Sequence, residues 1–187
     1  MKYIASAALM LNLGLTGLYA HDWPINMTFS GTAGSSSVNL NIDGRTNGEN
    51  NFTGNGNLGS FTFREVEAEG GAPQESSTCS GPNLMYGTLS VGAGVLSFAD
   101  GSSLVLNLRE GTDCVDLAAP AAHCTRIFDI TGGTGRFKHA KGSLSMDENL
   151  RPILANSSGF PVFFASSGQF TGTVSRVHGD ADDHDDH

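Results

Sequence analysis

The chain has 187 residues, with 10 Lys+Arg against 19 Asp+Glu and 25 glycines. A formal net charge of −9 argues against nucleic acid and anionic membrane surfaces as partners. Only 16% of residues are charged, which excludes the Glu- and Lys-rich composition of a long-helix protein and suits a β protein with many turns.

In chain order, residues 1–20 read as a secretory signal peptide. Lys2 precedes an apolar stretch that ends near Leu18, and small Ala20 occupies the expected cleavage position. The stretch is interrupted by Asn12, Gly14 and Thr16 and falls short of the ~20 apolar residues of a spanning helix. We therefore expect a secreted or periplasmic protein, with no membrane insertion after cleavage. One domain is expected over 21–177, followed by a disordered tail at 178–187. A mature chain beginning at His21 would offer an amine and an imidazole to copper, but nothing else supports such a site, and an exposed terminus is the expectation.

Period-two alternation, the signature of a strand with one buried face, recurs along the domain. INMTF (25–29), VNLNI (38–42), FTF (61–63), VLSF (95–98), LVLNL (104–108) and IFDI (127–130) all show it. Residues 47–59 and 69–83 read as long loops, the first through repeated Asn-Gly steps. Ala99 to Ser102 reads as a hairpin turn. The best helical candidate, 116–123, is broken by Pro120. About eight strands result, and the expected fold is all-β: an antiparallel eight-stranded closed barrel, with a β-sandwich as the alternative.

Glu65, Glu67 and Glu69 alternate, so on a strand they share one face. An outward, solvated face is the expected setting; the alternative is an acid with a raised pKa at a barrel mouth. The cysteines are Cys79, Cys114 and Cys124, and an exported compartment permits disulfides. We pair Cys114 with Cys124 across DCVDLAAPAAHC; the rival pairing joins Cys79 to one of them. His123 beside Cys124 raises a metal site, but no C-x-x-C spacing accompanies it.

ITGGTGRFKHAKGSLSM (130–146) is glycine-rich and basic, so a phosphate loop has to be considered. Lys141-Gly142-Ser143 is not the Gly-Lys-Ser order of a P-loop, and a dinucleotide fingerprint started at Gly133 ends on Lys138. No helix pattern follows either. A tight corner between two strands fits better: Gly132, Gly133 and Gly135 tolerate backbone conformations closed to other residues, and Phe137 returns to the core. Arg136 can extend across the corner to free carbonyls or an acid. His139, between Lys138 and Lys141, reads as a solvated strand end rather than an anion site.

The run FDITGGTGRF, then AKGSL, resembles the Gly-Gly-Thr-Gly-Arg-Phe signature of dirigent and allene-oxide-cyclase-like barrels and of their uncharacterised exported bacterial relatives. The resemblance is specific over about 125–146 and looser over 84–108 and 168–175. It implies a calycin-like, eight-stranded antiparallel barrel with a central cavity. Gly132, Gly133, Gly135, Arg136 and Phe137 carry over as structural residues, and catalytic residues are unknown. The resemblance implies binding of a small apolar or phenolic ligand, or a role at the cell surface. The alternative it implies is a catalyst that orients a reactive intermediate in the cavity, which works through positioning and needs no nucleophile.

The tail HGDADDHDDH places His178, Asp183, His184 and His187 close in sequence. Imidazoles and carboxylates at such spacing capture Zn²⁺, Cu²⁺ or Ni²⁺ weakly, whereas the same composition also serves as a solubilising acidic terminus. No other cofactor is expected. If the tail captures metal, calorimetry with Zn²⁺ will give heat for the full chain and none for a chain ended at Val177; equal heats would remove the metal reading.

Overall fold

The computed structural model describes residues 22–40, 47–70, 74–75, 79, 84–116 and 121–175. The expected leader, His21 and the tail with His178, Asp183, His184 and His187 lie outside them. The strands are β1 (Trp23–Ser35), β2 (Asn47–Gly56), β3 (Phe61–Glu69), β4 (Gln74–Glu75), β5 (Leu84–Phe98), β6 (Ser103–Asp116), β7 (Ala121–Thr134), β8 (Lys141–Ala155) and β9 (Pro161–Ser175).

Neighbours run β3-β2-β1-β9-β8-β7-β6-β5, all antiparallel, and β3 pairs back onto β5. This pairing closes eight strands into a barrel, so the sandwich alternative is set aside. The short β4 adds to β5 beside Met85 and Tyr86. No helix of the described residues is long and apolar enough to cross a membrane.

An eight-stranded barrel is just wide enough for side chains to fill its interior. Phe29, Phe52, Phe61, Phe63, Phe128 and Phe170 do so in the middle, with Met27, Leu96, Leu104, Leu144 and Met146 around them. Neighbouring rings stand 4.5–6.3 Å apart between centroids. The chain turns β2 to β3, β5 to β6 and β7 to β8 at one end, here the turn end. The opposite ends of these strands form the other end of the barrel, here the loop end.

The β7–β8 corner closes the turn end. Gly135 has φ +57° and opens a single 3-10 turn, Gly135–Phe137, that buries Phe137. A Cβ on Gly133 would stand 2.2 Å from the Ser103 carbonyl oxygen, so the strand crossing there needs glycine. At Gly132 a Cβ would meet nothing within 4 Å, and nothing in the structure explains a glycine there. The Arg136 guanidinium donates to the Leu58 carbonyl, pairs with Asp100 at 3.1 Å and lies over the rings of Phe98 and Phe137. His139 leaves the corner at φ 69° and is exposed.

Three sequence expectations need correction. Residues 47–56 form a strand rather than a loop. Asn50 and Phe52 point inward, Asn51 and Thr53 outward, and partners on both sides override weak strand propensity. Residues 38–40 are not in a strand; the Val38 N–H is taken by Ser36 Oγ at 3.1 Å and the Leu40 N–H by Asn47 Oδ1 at 3.4 Å. The disulfide joins Cys79 to Cys114, and Cys124 is a buried free thiol.

The β6–β7 register explains the last correction. It sets Cys124 opposite Asp113, and Cys114 opposite His123. Cys114 and Cys124 therefore project to opposite faces of the sheet, where no bridge can form. The observed bridge encloses a sequence separation of 35. Replacing Cys79 and Cys114 by Ala should lower the unfolding free energy by about 3 kcal/mol. Urea unfolding will measure this; Cys124→Ala, with its bridge intact, should keep most of the native stability.

Candidate binding site at the loop end of the barrel

On four strands the inward positions change from apolar to polar towards the loop end. On β3 the series Phe61, Phe63 continues as Glu65, Glu67. On β7, reading backwards, Ile130 and Phe128 give way to Arg126 and Cys124. On β8 Leu144 and Met146 are followed by Glu148, and on β9 Phe170 is preceded by Ser166. Each of the long polar side chains has a glycine as its cross-strand partner, and at Gly48 and Gly92 the Glu67 side chain occupies the space a Cβ would take. Glu65 pairs with Gly94, Glu67 with Gly48 and Gly92, Arg126 with Gly111, and Glu148 with Gly168.

Arg126 is the centre. Its Nε and Nη2 donate to both carboxylate oxygens of Glu67 at 2.5 Å, the bidentate fork geometry. Its Nη1 donates to Glu148 at 2.7 Å, and the other Glu148 oxygen accepts from Ser166 Oγ at 2.5 Å. Glu65 lies 3.8 Å from Arg126 Nε, and Asp113 lies 3.9 Å from Nη2. Asn50 Nδ2 donates to Glu65 Oε2 at 2.9 Å. Among the described residues, two buried oxygens of the cluster have no hydrogen-bond partner: Glu65 Oε1 and Asp113 Oδ1.

One guanidinium thus faces four carboxyl groups away from water. Burial, with the neighbouring Glu67 charge, pushes the Glu65 carboxyl well above the usual range. Burial also raises Asp113 and Glu148, against the pull of Arg126. Burial alone would lower the Arg126 value, but Glu67 and Glu65 more than offset it and keep the guanidinium charged. The Cys124 thiol is pushed up by burial and by Asp113, so it stands there as an inert thiol.

These shifts set a pH dependence. An acid whose folded pKa exceeds its unfolded value binds more protons in the folded state. The excess runs from the ordinary carboxylate range, about 4, up to the folded values, and stability falls through that window as pH rises. We expect the urea-unfolding free energy to decline from pH 4 towards pH 8, with a shallower decline in Glu65→Gln. A stability that climbs with pH over this range would contradict the assignment.

The cluster corrects the expected outward setting of the alternating glutamates. Glu65 and Glu67 share parity with Phe61 and Phe63 and turn inward, while Glu69 follows a register shift after Ala68 and is half-buried. Asn50, Asp113, Arg126, Glu148 and Ser166 were not singled out from the sequence. Parity was the available signal, since Arg126 and Glu148 continue the inward series of Phe128 and Met146. The glycine corner and Arg136 lie at the opposite end and contribute nothing to this site. His123 points outward and pairs with Asp147 at 3.1 Å while Cys124 points inward, so the two cannot share an ion. Among the described residues no group of three or more His, Cys, Asp or Glu is arranged to hold a metal.

No family model and no curated protein matches the chain. Solved structures similar to it include two of dirigent proteins. The pterocarpan synthase dirigent protein PsPTS1 is 13% identical, with a TM-score of 0.44 over 85% of this chain and 97% of that one. The pterocarpan synthase dirigent protein GePTS1 is also 13% identical, with a TM-score of 0.43 over 87% of this chain and 88% of that one. Neither likeness assigns a role to any residue.

Proposed function

We propose that this barrel is an exported binder of a small apolar or phenolic molecule, whose polar group is anchored by the cluster around Arg126. One observation carries the reading: Glu65 is fully buried, where burial pushes its carboxyl well above the usual range, yet its Oε1 has no partner among the described residues. A buried polar atom left without a hydrogen bond costs ~1–3 kcal/mol, so the arrangement favours a visitor that supplies one. With Asn50 donating to Oε2, a protonated Glu65 would carry its proton on Oε1 and offer a donor there; Asp113 Oδ1 offers an acceptor. A phenolic hydroxyl both accepts and donates and complements the pair. An anionic ligand is disfavoured, because the carboxyls already outnumber the guanidinium. The disulfide between Cys79 and Cys114 supports an oxidising compartment, in keeping with export.

Saturation-transfer NMR with 2-methoxyphenol tests the reading. Transfer to the probe is expected with the native protein, with roughly tenfold weaker binding in Glu65→Leu, a loss of about 1.4 kcal/mol. Unchanged binding in that variant, or no transfer from any of a set of simple phenols, would remove it. A second reading, a catalyst that orients a reactive intermediate, is favoured by the same proton-bearing carboxyl beside a fixed cation. Coupling of propenylphenol radicals in the presence of the protein separates the two: one enantiomer in excess supports catalysis, and a racemate supports binding alone.

A further inference from the structure

The hairpin between β8 and β9 extends past the barrel rim at the loop end. Among the described residues, β7 pairs with β8 no further than Leu150, and β1 pairs with β9 no further than Phe163. Residues 151–162 therefore form a two-stranded ribbon paired only with itself. At ~3.4 Å per residue, residues 151–155 carry it roughly 17 Å beyond the rim. Its tip is fixed. The Asn156 carboxamide oxygen accepts from the N–H groups of Ser158 and Phe160 at 3.0 and 2.9 Å, and the Asn156 N–H donates to the Phe160 carbonyl at 2.8 Å. A lone two-stranded ribbon is only marginally stable in water, so this one calls for a covering.

The ribbon is apolar at its tip and on both faces. Ile153, Leu154 and Phe160 are 59%, 59% and 66% exposed, more than any other large hydrophobic side chain among the described residues. Phe163, the cross-strand partner of Leu154, is 40% exposed. Pro152 and Phe164 pair on the opposite face and are half-buried. Charge is placed just as unevenly. The chain has 19 Asp+Glu, yet none lies between Asn149 and Ser175. Arg151, exposed at the root of the ribbon and without a described ion pair, is the only charged residue of that stretch.

We propose that this ribbon docks the protein on a neutral lipid bilayer by shallow insertion. Apolar side chains on two faces and a tip need an occupant that surrounds them. A folded partner offers one surface, whereas a lipid layer encloses the whole ribbon. The missing carboxylates spare the ribbon the repulsion that the rest of this acidic chain meets at lipid phosphates. Arg151 stands at the height where its stem can lie along the acyl boundary and its guanidinium reach those phosphates. Insertion stops ~5–10 Å deep, because the ribbon's outer edges carry backbone groups that need water or headgroups as partners. The docking surface is separate from the Arg126 cluster and stands or falls independently. It does set the loop end, and with it that cluster, against the phase in which apolar molecules dissolve.

Flotation of the exported chain with phosphatidylcholine vesicles tests the proposal. The native protein is expected to float with the vesicles. Leu154→Ser and Phe160→Ser should each weaken partition roughly tenfold. Val91→Ser, at an exposed apolar position on β5 away from the ribbon, should leave it unchanged, and circular dichroism will show that all variants are folded. Phe160→Trp reports depth. Lipids brominated along the acyl chain should quench the fluorescence it adds, and should not quench the native protein, whose single tryptophan is Trp23 at the turn end. The proposal would be overturned by absence of flotation, by undiminished flotation of folded Leu154→Ser and Phe160→Ser, or by quenching confined to Trp23. Self-association of the native protein that these substitutions abolish, in place of flotation, would assign the ribbon to a second copy and overturn it too.

Discussion

Arg126→Leu is expected to lower the unfolding free energy at pH 7 by about 3–5 kcal/mol, the range for removing one partner of a buried ion pair. The guanidinium is the common partner of Glu67 and Glu148, and water does not reach the group to replace it. The deficit should shrink at pH 5, where the abandoned carboxyls take up protons. Adding Glu67→Gln to Arg126→Leu should recover part of it for the same reason, so the two changes will not be additive. Urea unfolding followed by circular dichroism measures all three variants. A loss below about 1 kcal/mol for Arg126→Leu would mean that the cluster is hydrated and not the dry network described above.

Phe170→Ala is expected to cost about 3–5 kcal/mol, by transfer and cavity terms together. Phe170 is fully buried, with Phe29, Phe63 and Phe61 at centroid distances of 4.8, 5.1 and 5.9 Å. Its strand is hydrogen-bonded to β1 on one side and β8 on the other, and the sheet has no free edge among the eight barrel strands. The wall therefore cannot move inward to refill the space, which places the change at the costly end. Thermal unfolding of Phe170→Ala beside the surface control Val91→Ala checks this; equal destabilisation would mean that the aromatic stack is not the core.

How much of this was legible beforehand depended on whether a property was local. Alternation marked β1, β6 and β7, because an apolar residue every second position needs only one buried face. The corner was legible too, since Gly135 and Phe137 act within a few residues of each other. Closure was not: the β3–β5 pairing joins strands that are not consecutive in the chain, and only the resemblance of the 125–146 run pointed to a barrel over a sandwich. The cysteine pairing failed for a related reason. Whether Cys114 and Cys124 share a face depends on register across β6 and β7, where two shifts intervene between Val105 and Glu110.

The site was half legible. Glu65 and Glu67 were noticed as a like-charged pair, but charge alone placed them in water. What turns them inward is the parity of Phe61 and Phe63 together with a cation that arrives 59 positions later in the chain from Glu67. Such a partner is invisible to any window along the sequence. The sequence carries two signals for the inward setting. One is that Arg126 falls on the same parity as Phe128 and Ile130; the other is that Gly48 and Gly92 leave the room that Glu67 needs.

The protonation of Glu65 tests the account most directly. In protein labelled with ¹³C at the glutamate carboxyls, one resonance at pH 7 should sit at the position of a protonated acid, vanish in Glu65→Gln, and move when 2-methoxyphenol is added. Glutamate carboxyls that are all ionised at pH 7 would contradict it.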